Sequence, residues 1–273
     1  MTPYGVDKFF ELKDGDIIHR HSRRAEFVWE LIPLLKEIIR VELRPNVSGI
    51  LARGRLVAEP AALVRGEAVF GVDYGPGGGG ADFVCRKDGL VLEDAALVLP
   101  GAYIEDEAVE LAPGVLVEPG AMIKGPSIIG RGTEVRQGAY VRGSVLTGAR
   151  CVVGHATEAK NTLMLDGAKA GHFAYLGDSL LGAGVNLGAG TKLANLKMVD
   201  APYRFVFNGE TTQVGYKKFG AVLGDGVETG CNSVTSPGVL MGPGSVLLPN
   251  TTARGGYYPN RSILRPAGDP KRR

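Results

Sequence analysis

The four histidines are the only side chains of this chain whose unperturbed titration falls between pH 5 and 8, and two of them, His155 and His172, stand in its repetitive middle. An imidazole there suits proton transfer to or from a reacting nitrogen or oxygen. His172 lies in Lys169-Ala170-Gly171-His172-Phe173-Ala174-Tyr175, where a six-residue beat slips by one residue and turns a side chain off the flat face. The same slip equally suits a histidine packed at a corner. His155 and His172 stand alone in the repeat, so a three-histidine zinc site is incomplete. Cys85, Cys151 and Cys231 are far apart and form no C-x-x-C. Neither a disulfide framework nor a zinc knuckle is indicated, and no metal is expected. Gly75-Pro76-Gly77-Gly78-Gly79-Gly80 lacks the Lys-Ser/Thr ending of a phosphate-cradling loop and reads as a flexible excursion.

The beat around His172 decides what positions it. Val117, Ile123, Ile129, Val135 and Val141 recur every six residues, and Ala121, Ser127, Thr133, Ala139 and Val145 follow each by four. It returns at Leu223, Thr229, Thr235, Met241 and Leu247, with followers Val227, Ser233, Val239, Ser245 and Thr251. Leu92, Val98 and Ile104 show it earlier. Such a period predicts an all-β solenoid, a parallel β-helix of hexapeptide repeats. Each unit supplies a short strand and a turn, the aliphatic residue points into a narrow prism, and each coil covers the next. The main run spans 91–198, roughly six coils of about eighteen residues.

Residues 1–45 carry no beat. Phe27, Val28, Leu31, Ile32, Leu35, Ile38 and Ile39 are spaced for an amphipathic helix, interrupted by Pro33. They predict a short N-terminal helical cap on the first coil. Residues 46–254 form the β-helix, its first coil irregular (Val57, Leu63, Val69 over 46–72), with inserted loops at about 73–90 and 199–217. The second insertion predicts a hairpin around Asn208-Gly209. Residues 255–273 read as an extended outer tail. With 31 basic and 29 acidic residues, the chain has no nucleic-acid footprint. No apolar leader or long apolar run occurs, so a soluble cytoplasmic protein is expected, with no membrane contact.

Several blocks resemble a known family. Val153-Gly154, Glu158 with Lys160, Lys169-Ala170-Gly171-His172, Tyr175-Leu176-Gly177-Asp178, Val185 to Thr191 and Asn195 are similar to the acetyltransferase domain of bifunctional UDP-N-acetylglucosamine pyrophosphorylase/glucosamine-1-phosphate N-acetyltransferases. Lys218-Phe219-Gly220 through Pro237-Gly238 resembles the β-helix domains of sugar-1-phosphate nucleotidyltransferases. The resemblance implies a left-handed helix, a homotrimer with sites between subunits, and acetyl-CoA as co-substrate. It implies transfer to an amino-sugar phosphate, glucosamine-1-phosphate first, in nucleotide-sugar synthesis. It further implies His172 as general base, Arg142 and Lys160 on the phosphate, and Tyr175, Asn186 and Asn195 on the sugar. Lys218 and Cys231 match positions near the substrate or acetyl-CoA.

The chain departs from that pattern in places. The pyrophosphorylase domain has no counterpart, so uridylyl transfer is not expected. Leu196-Lys197-Met198 and a longer insertion replace the family's Tyr-Asp-Gly, and His155 replaces an asparagine. Three other readings stay open: a zinc enzyme of the γ-carbonic-anhydrase type, a non-catalytic trimeric module serving a sugar nucleotidyltransferase, and an acyltransferase on another nucleotide-linked amino sugar. The module reading gains if the 199–217 insertion plugs the cleft.

Overall fold

A computed structural model describes residues 4–77, 83–199, 201–207 and 210–266. Short strands stack in register along three parallel ladders. The first runs Val98, Val117, Val135, Val153, Ala170, Leu187, Thr229, Leu247, Leu264. The second runs Ile104, Ile123, Val141, Ala159, Leu176, Leu193, Thr235, Ala253. The third runs Glu110, Ile128, Leu146, Leu163, Leu180, Val222, Leu240, Tyr257. Together they are the faces of a β-solenoid of about nine turns. All ten beat residues from Val117 to Val145 are buried. A narrow interior explains the pattern: only aliphatic and small side chains fill it at native density. The repeat shortens at the candidate site. Tyr140 pairs with Glu158 eighteen residues on, but Glu158 pairs with Tyr175 and Tyr175 with Lys192 at seventeen.

The first coil differs from expectation. Ala61–Val64 and Glu67–Phe70 form a hairpin, not a coil, and Ala61–Val64 runs antiparallel to Ala96–Val98. Its two-residue turn needs positive φ twice, and Arg65 (52°) and Gly66 (86°) provide it. Leu92 is likewise not an interior rung. It packs in a side cluster with Cys85 and Leu97 beside an antiparallel sheet of Asp73–Pro76, Phe83–Lys87 and Leu90–Val91. Gly78 to Gly80 lie outside the described residues. The tail adds a further coil: Gly256–Tyr258 pairs with Val239–Met241, and Ile263–Leu264 with Val246–Leu247.

The N-terminal helical segment is present, but it lies along a side of the solenoid rather than over its end. The helix Leu31–Glu42 rests on the strands Val145–Thr147, Glu158–Met164 and Tyr175–Leu181. The reason is the third ladder. Its outward positions from Ile128 to Leu240 are apolar and join one cluster with Leu31, Ile32, Leu35, Ile38 and Ile39. A face apolar on both sides must be covered, and each such side chain removed from water contributes about 1.5–3 kcal/mol. Pro33 falls in the helix's first turn, where its missing N–H has no intrahelical partner to lose. The end of the prism is closed instead by Val47 and Ile50, at the short helix Ser48–Leu51, which pack into the interior cluster.

The insertion is a hairpin of Tyr203–Phe207 with Glu210–Val214. Asn208 and Gly209 lie outside the described residues. Tyr203, Phe205 and Val214 are buried, and the Phe205 ring stacks on Trp29 at 4.8 Å. The insertion is thus fastened to the N-terminal segment.

Candidate active site

The first face carries a groove of about 680 Å3. Strand alternation builds it: Ala170 and Leu187 point inward and are buried, so Lys169 and Asn186 point outward. Glu134 stands two coils before Lys169 in the same outward column. His172, Asn186 and Cys231 all line the groove, with Lys169, Arg136 and Arg150. Arg136 is bound to Glu134 at 2.7 Å. Three cations and an exposed imidazole therefore border one open trough.

His172 is held by its backbone. Its carbonyl accepts the Gly190 N–H at 2.9 Å, and the following Phe173 N–H donates to the His155 carbonyl at 2.9 Å. Phe173 takes φ +52°, which swings the chain from the first face to the second directly after the histidine. The ring of His172 is exposed, and no hydrogen bond to it occurs among the described residues. His155, its partner one coil below, differs: its Nδ1 lies 3.0 Å from the Gln137 carbonyl, and its ring meets Phe173 edge-on at 5.3 Å. Of the two repeat histidines, His172 is the one with neither ring nitrogen hydrogen-bonded among the described residues.

Across the corner at Phe173 and Ala174, a second group gathers on the strands Tyr140–Val141, Glu158–Met164 and Tyr175–Leu181. Its centre is the buried Asp178. Its Oδ1 accepts from Asn161 Nδ2 at 2.9 Å and its Oδ2 from Asn195 Nδ2 at 2.5 Å, while Lys160 Nζ sits 3.3 Å away. The Tyr175 hydroxyl donates to Asn195 Oδ1 at 3.4 Å. Arg142 is paired with Glu158 at 2.6 Å. Burial raises the Tyr175 phenol above its ordinary value, helped by Glu158 and Asp178 and opposed by Arg142 and Asn195, so it stays a donor. Gly177 keeps the group together: a Cβ there would come within 2.6 Å of Asn195 Nδ2 and 2.7 Å of the Tyr175 hydroxyl.

The eight candidate residues therefore divide. His172, Asn186 and Cys231 share the groove, whereas Arg142, Lys160, Tyr175 and Asn195 form the Asp178 group. Lys218 lines neither: it is exposed and bridges Leu196 at the root of the insertion. Glu158 and Asp178 carried no assigned role in the sequence reading. The coil spacing offers their signal, because Lys160 contacts Asp178 eighteen residues on and Asn195 contacts it from seventeen. None of the insertion's described residues lines the groove. Among the described residues, no cluster of three or more His, Cys, Asp or Glu is placed to hold a metal, and no helix is long and apolar enough to cross a membrane.

No protein-family model matches the chain. It is similar to the bifunctional protein GlmU of Cyanothece sp., 36% identical over 189 residues covering 57% of this chain and 38% of that protein. The bifunctional protein GlmU of Pseudomonas entomophila is 33% identical over 209 residues, 76% of this chain and 39% of its own length. The bifunctional sugar-1-phosphate nucleotidylyltransferase/acetyltransferase of Sulfurisphaera tokodaii is 31% identical over 151 residues, 49% of this chain and 38% of its own. The chain thus spans about two fifths of the length of each of these relatives.

Proposed function

We propose, for a chain homologous to the GlmU-type bifunctional proteins, that it transfers an acetyl group from acetyl-CoA to the amine of an amino-sugar phosphate, glucosamine-1-phosphate first. The observation that carries this reading is the exposed, unengaged imidazole of His172 in one groove with Asn186 and Cys231. Its volume of about 680 Å3 falls within the range of small-molecule sites.

In this reading His172 takes a proton from the attacking amine as its nitrogen bonds to the thioester carbonyl carbon. The carbon–sulfur bond breaks, and the imidazolium returns its proton to the departing CoA thiolate. Products are the N-acetyl sugar phosphate and free CoA. Lys169 and Arg150 border the groove and suit an anionic CoA, with Arg136 held by Glu134; Cys231 stands beside its path. Tyr175 and Asn195 orient the sugar, and Arg142 with Lys160 receives its phosphate. The two groups lie on either side of a corner, so a homotrimer that sets the groove of one chain against the next would complete each site, with Lys218 supplied by a neighbour. The cytoplasm is the compartment where both substrates meet.

One observation favours a second reading. Arg142 and Lys160 are each already neutralised by a carboxylate, Glu158 and Asp178. That arrangement suits a non-catalytic module beside a nucleotidyltransferase, or an acceptor without a phosphate at that point, such as a nucleotide-linked amino sugar. The deciding experiment is release of CoA thiol from acetyl-CoA with glucosamine-1-phosphate, wild type against His172→Ala, with mass checked by light scattering. A loss of about a hundredfold or more with the trimer intact is expected. Equal release by both proteins removes His172 from the chemistry, and no release by wild type favours the module.

A further inference from the structure

A second cavity, of about 330 Å3, lies between the N-terminal segment and the third face, away from the His172 groove. Ile128, Leu146 and Leu163, consecutive rungs of the outward apolar column, line one side, and Ile17 of the N-terminal segment lines the other. Its charged lining is lopsided. Among the described residues, four carboxylates, Glu11, Asp16, Glu110 and Asp166, meet a single lining cation, Lys13, which is 3.5 Å from Asp166.

Glu110 is the telling residue. It occupies the first rung of a column that is otherwise apolar through Leu240. Its Oε2 accepts the Arg44 N–H at 2.6 Å, yet it makes no ion pair among the described residues. Burial holds its carboxyl above the ordinary value, against a smaller lowering from Arg44. For this half-buried carboxylate at the end of an apolar trough, Arg44 offsets only part of the desolvation. The surplus of carboxylates repels phosphates, CoA and organic acids.

We propose that this cavity binds a small organic ammonium ion with an apolar body, its head on Glu110 and its hydrocarbon on Ile128, Leu146 and Leu163. The volume, at the lower end of ligand sites, suits a single ring or short chain. Because the N-terminal segment forms one wall, such a ligand clamps that segment to the solenoid. The segment is already fastened nearby: Asp225 accepts the Glu11 N–H at 2.7 Å and donates its N–H to the Phe9 carbonyl at 3.0 Å, and Phe9, Phe10 and Ile18 are buried, so the ligand adds to this hold. Binding the docked form alone raises its stability by mass action. The inference does not rest on the acyl-transfer reading.

The test uses the full chain in low salt, with calorimetric titration of 2-phenylethylamine, 2-phenylethanol and phenylacetate. The amine binds once per chain and raises the melting temperature; the alcohol binds at least about tenfold more weakly and phenylacetate not at all. Glu110→Gln keeps an acceptor for the Arg44 N–H, weakens the amine about tenfold and leaves the alcohol unchanged. Should that variant fail to fold, the wild type decides by salt: amine binding falls with ionic strength and alcohol binding does not. Equal affinity for amine and alcohol, indifference to Glu110→Gln, or no amine binding at millimolar concentration overturns the proposal. So does amine binding that disappears as protein concentration rises, which means a second copy fills the cavity.

Discussion

Removing the Asp178 carboxylate is expected to cost more stability than any other single change in the Asp178 group. Two amide donors and the Lys160 ammonium converge on it, and its side chain is 8% exposed. Breaking a buried ion pair by deleting one partner typically costs about 3–5 kcal/mol. Lys160 is 27% exposed and regains part of its hydration, so a value just below that range, about 2–3 kcal/mol, applies here. Asp178 also sits at φ +47°, a left-handed backbone that a short polar side chain tolerates better than alanine does, by roughly 1 kcal/mol. Asp178→Ala should therefore lose about 3–4 kcal/mol, or on the order of 10 °C in melting temperature for a chain of this size. Asp178→Asn tolerates that backbone and keeps one acceptor, but turns an amide against one of the donors. Its expected loss is about 1–2 kcal/mol. Urea unfolding midpoints at pH 7, compared at equal slope, measure both. An alanine variant within about 0.5 kcal/mol of wild type, or an asparagine variant less stable than alanine, would refute the idea that this carboxylate organises the site.

Two further outcomes follow from the ionisable groups. Burial pushes the Cys85 thiol up to about 11 and the Cys151 thiol up to about 12, and both are buried, whereas Cys231 is exposed. A disulfide reagent should titrate one thiol in the native chain and three after unfolding; rapid reaction of a second native thiol would contradict the packing of Cys85 or Cys151. Glu42 is held below its ordinary 4.5, chiefly by its hydrogen bond from Arg20 and further by His21, against the opposing effect of burial. A depressed carboxyl contributes stability present above 4.5 and lost as pH falls through its folded value. The melting temperature of Glu42→Gln should thus fall less steeply than wild type below pH 4.5, and parallel curves would remove Glu42 from the acid response.

The second insertion and the N-terminal segment show where sequence reading stopped. Their types were legible: three- and four-residue spacings give the helix Leu31–Glu42, and the break in the beat gives the hairpin. Their seats were not. A signal existed in the aliphatic doublets Ile128-Ile129, Leu163-Met164, Leu180-Leu181 and Leu240-Met241, where one residue fills the prism and its neighbour must face outward. Read as doublets, they announce a face in need of cover.

By itself the sequence determined the interior. A strict six-residue period leaves one inward direction per strand, so Val117 through Val145 could pack only against their counterparts one coil away. It also marked His172, because a shortened coil is visible as a slipped beat. Only the tertiary structure decided which outward side chains meet. Whether Lys160 reaches Asp178, and whether Arg142 reaches Glu158, depends on coils of seventeen or eighteen residues and on the corner at Phe173. Periodicity reports the side a residue faces; contact across coils is set by register and by what lies over the face, and neither is a local property of the chain.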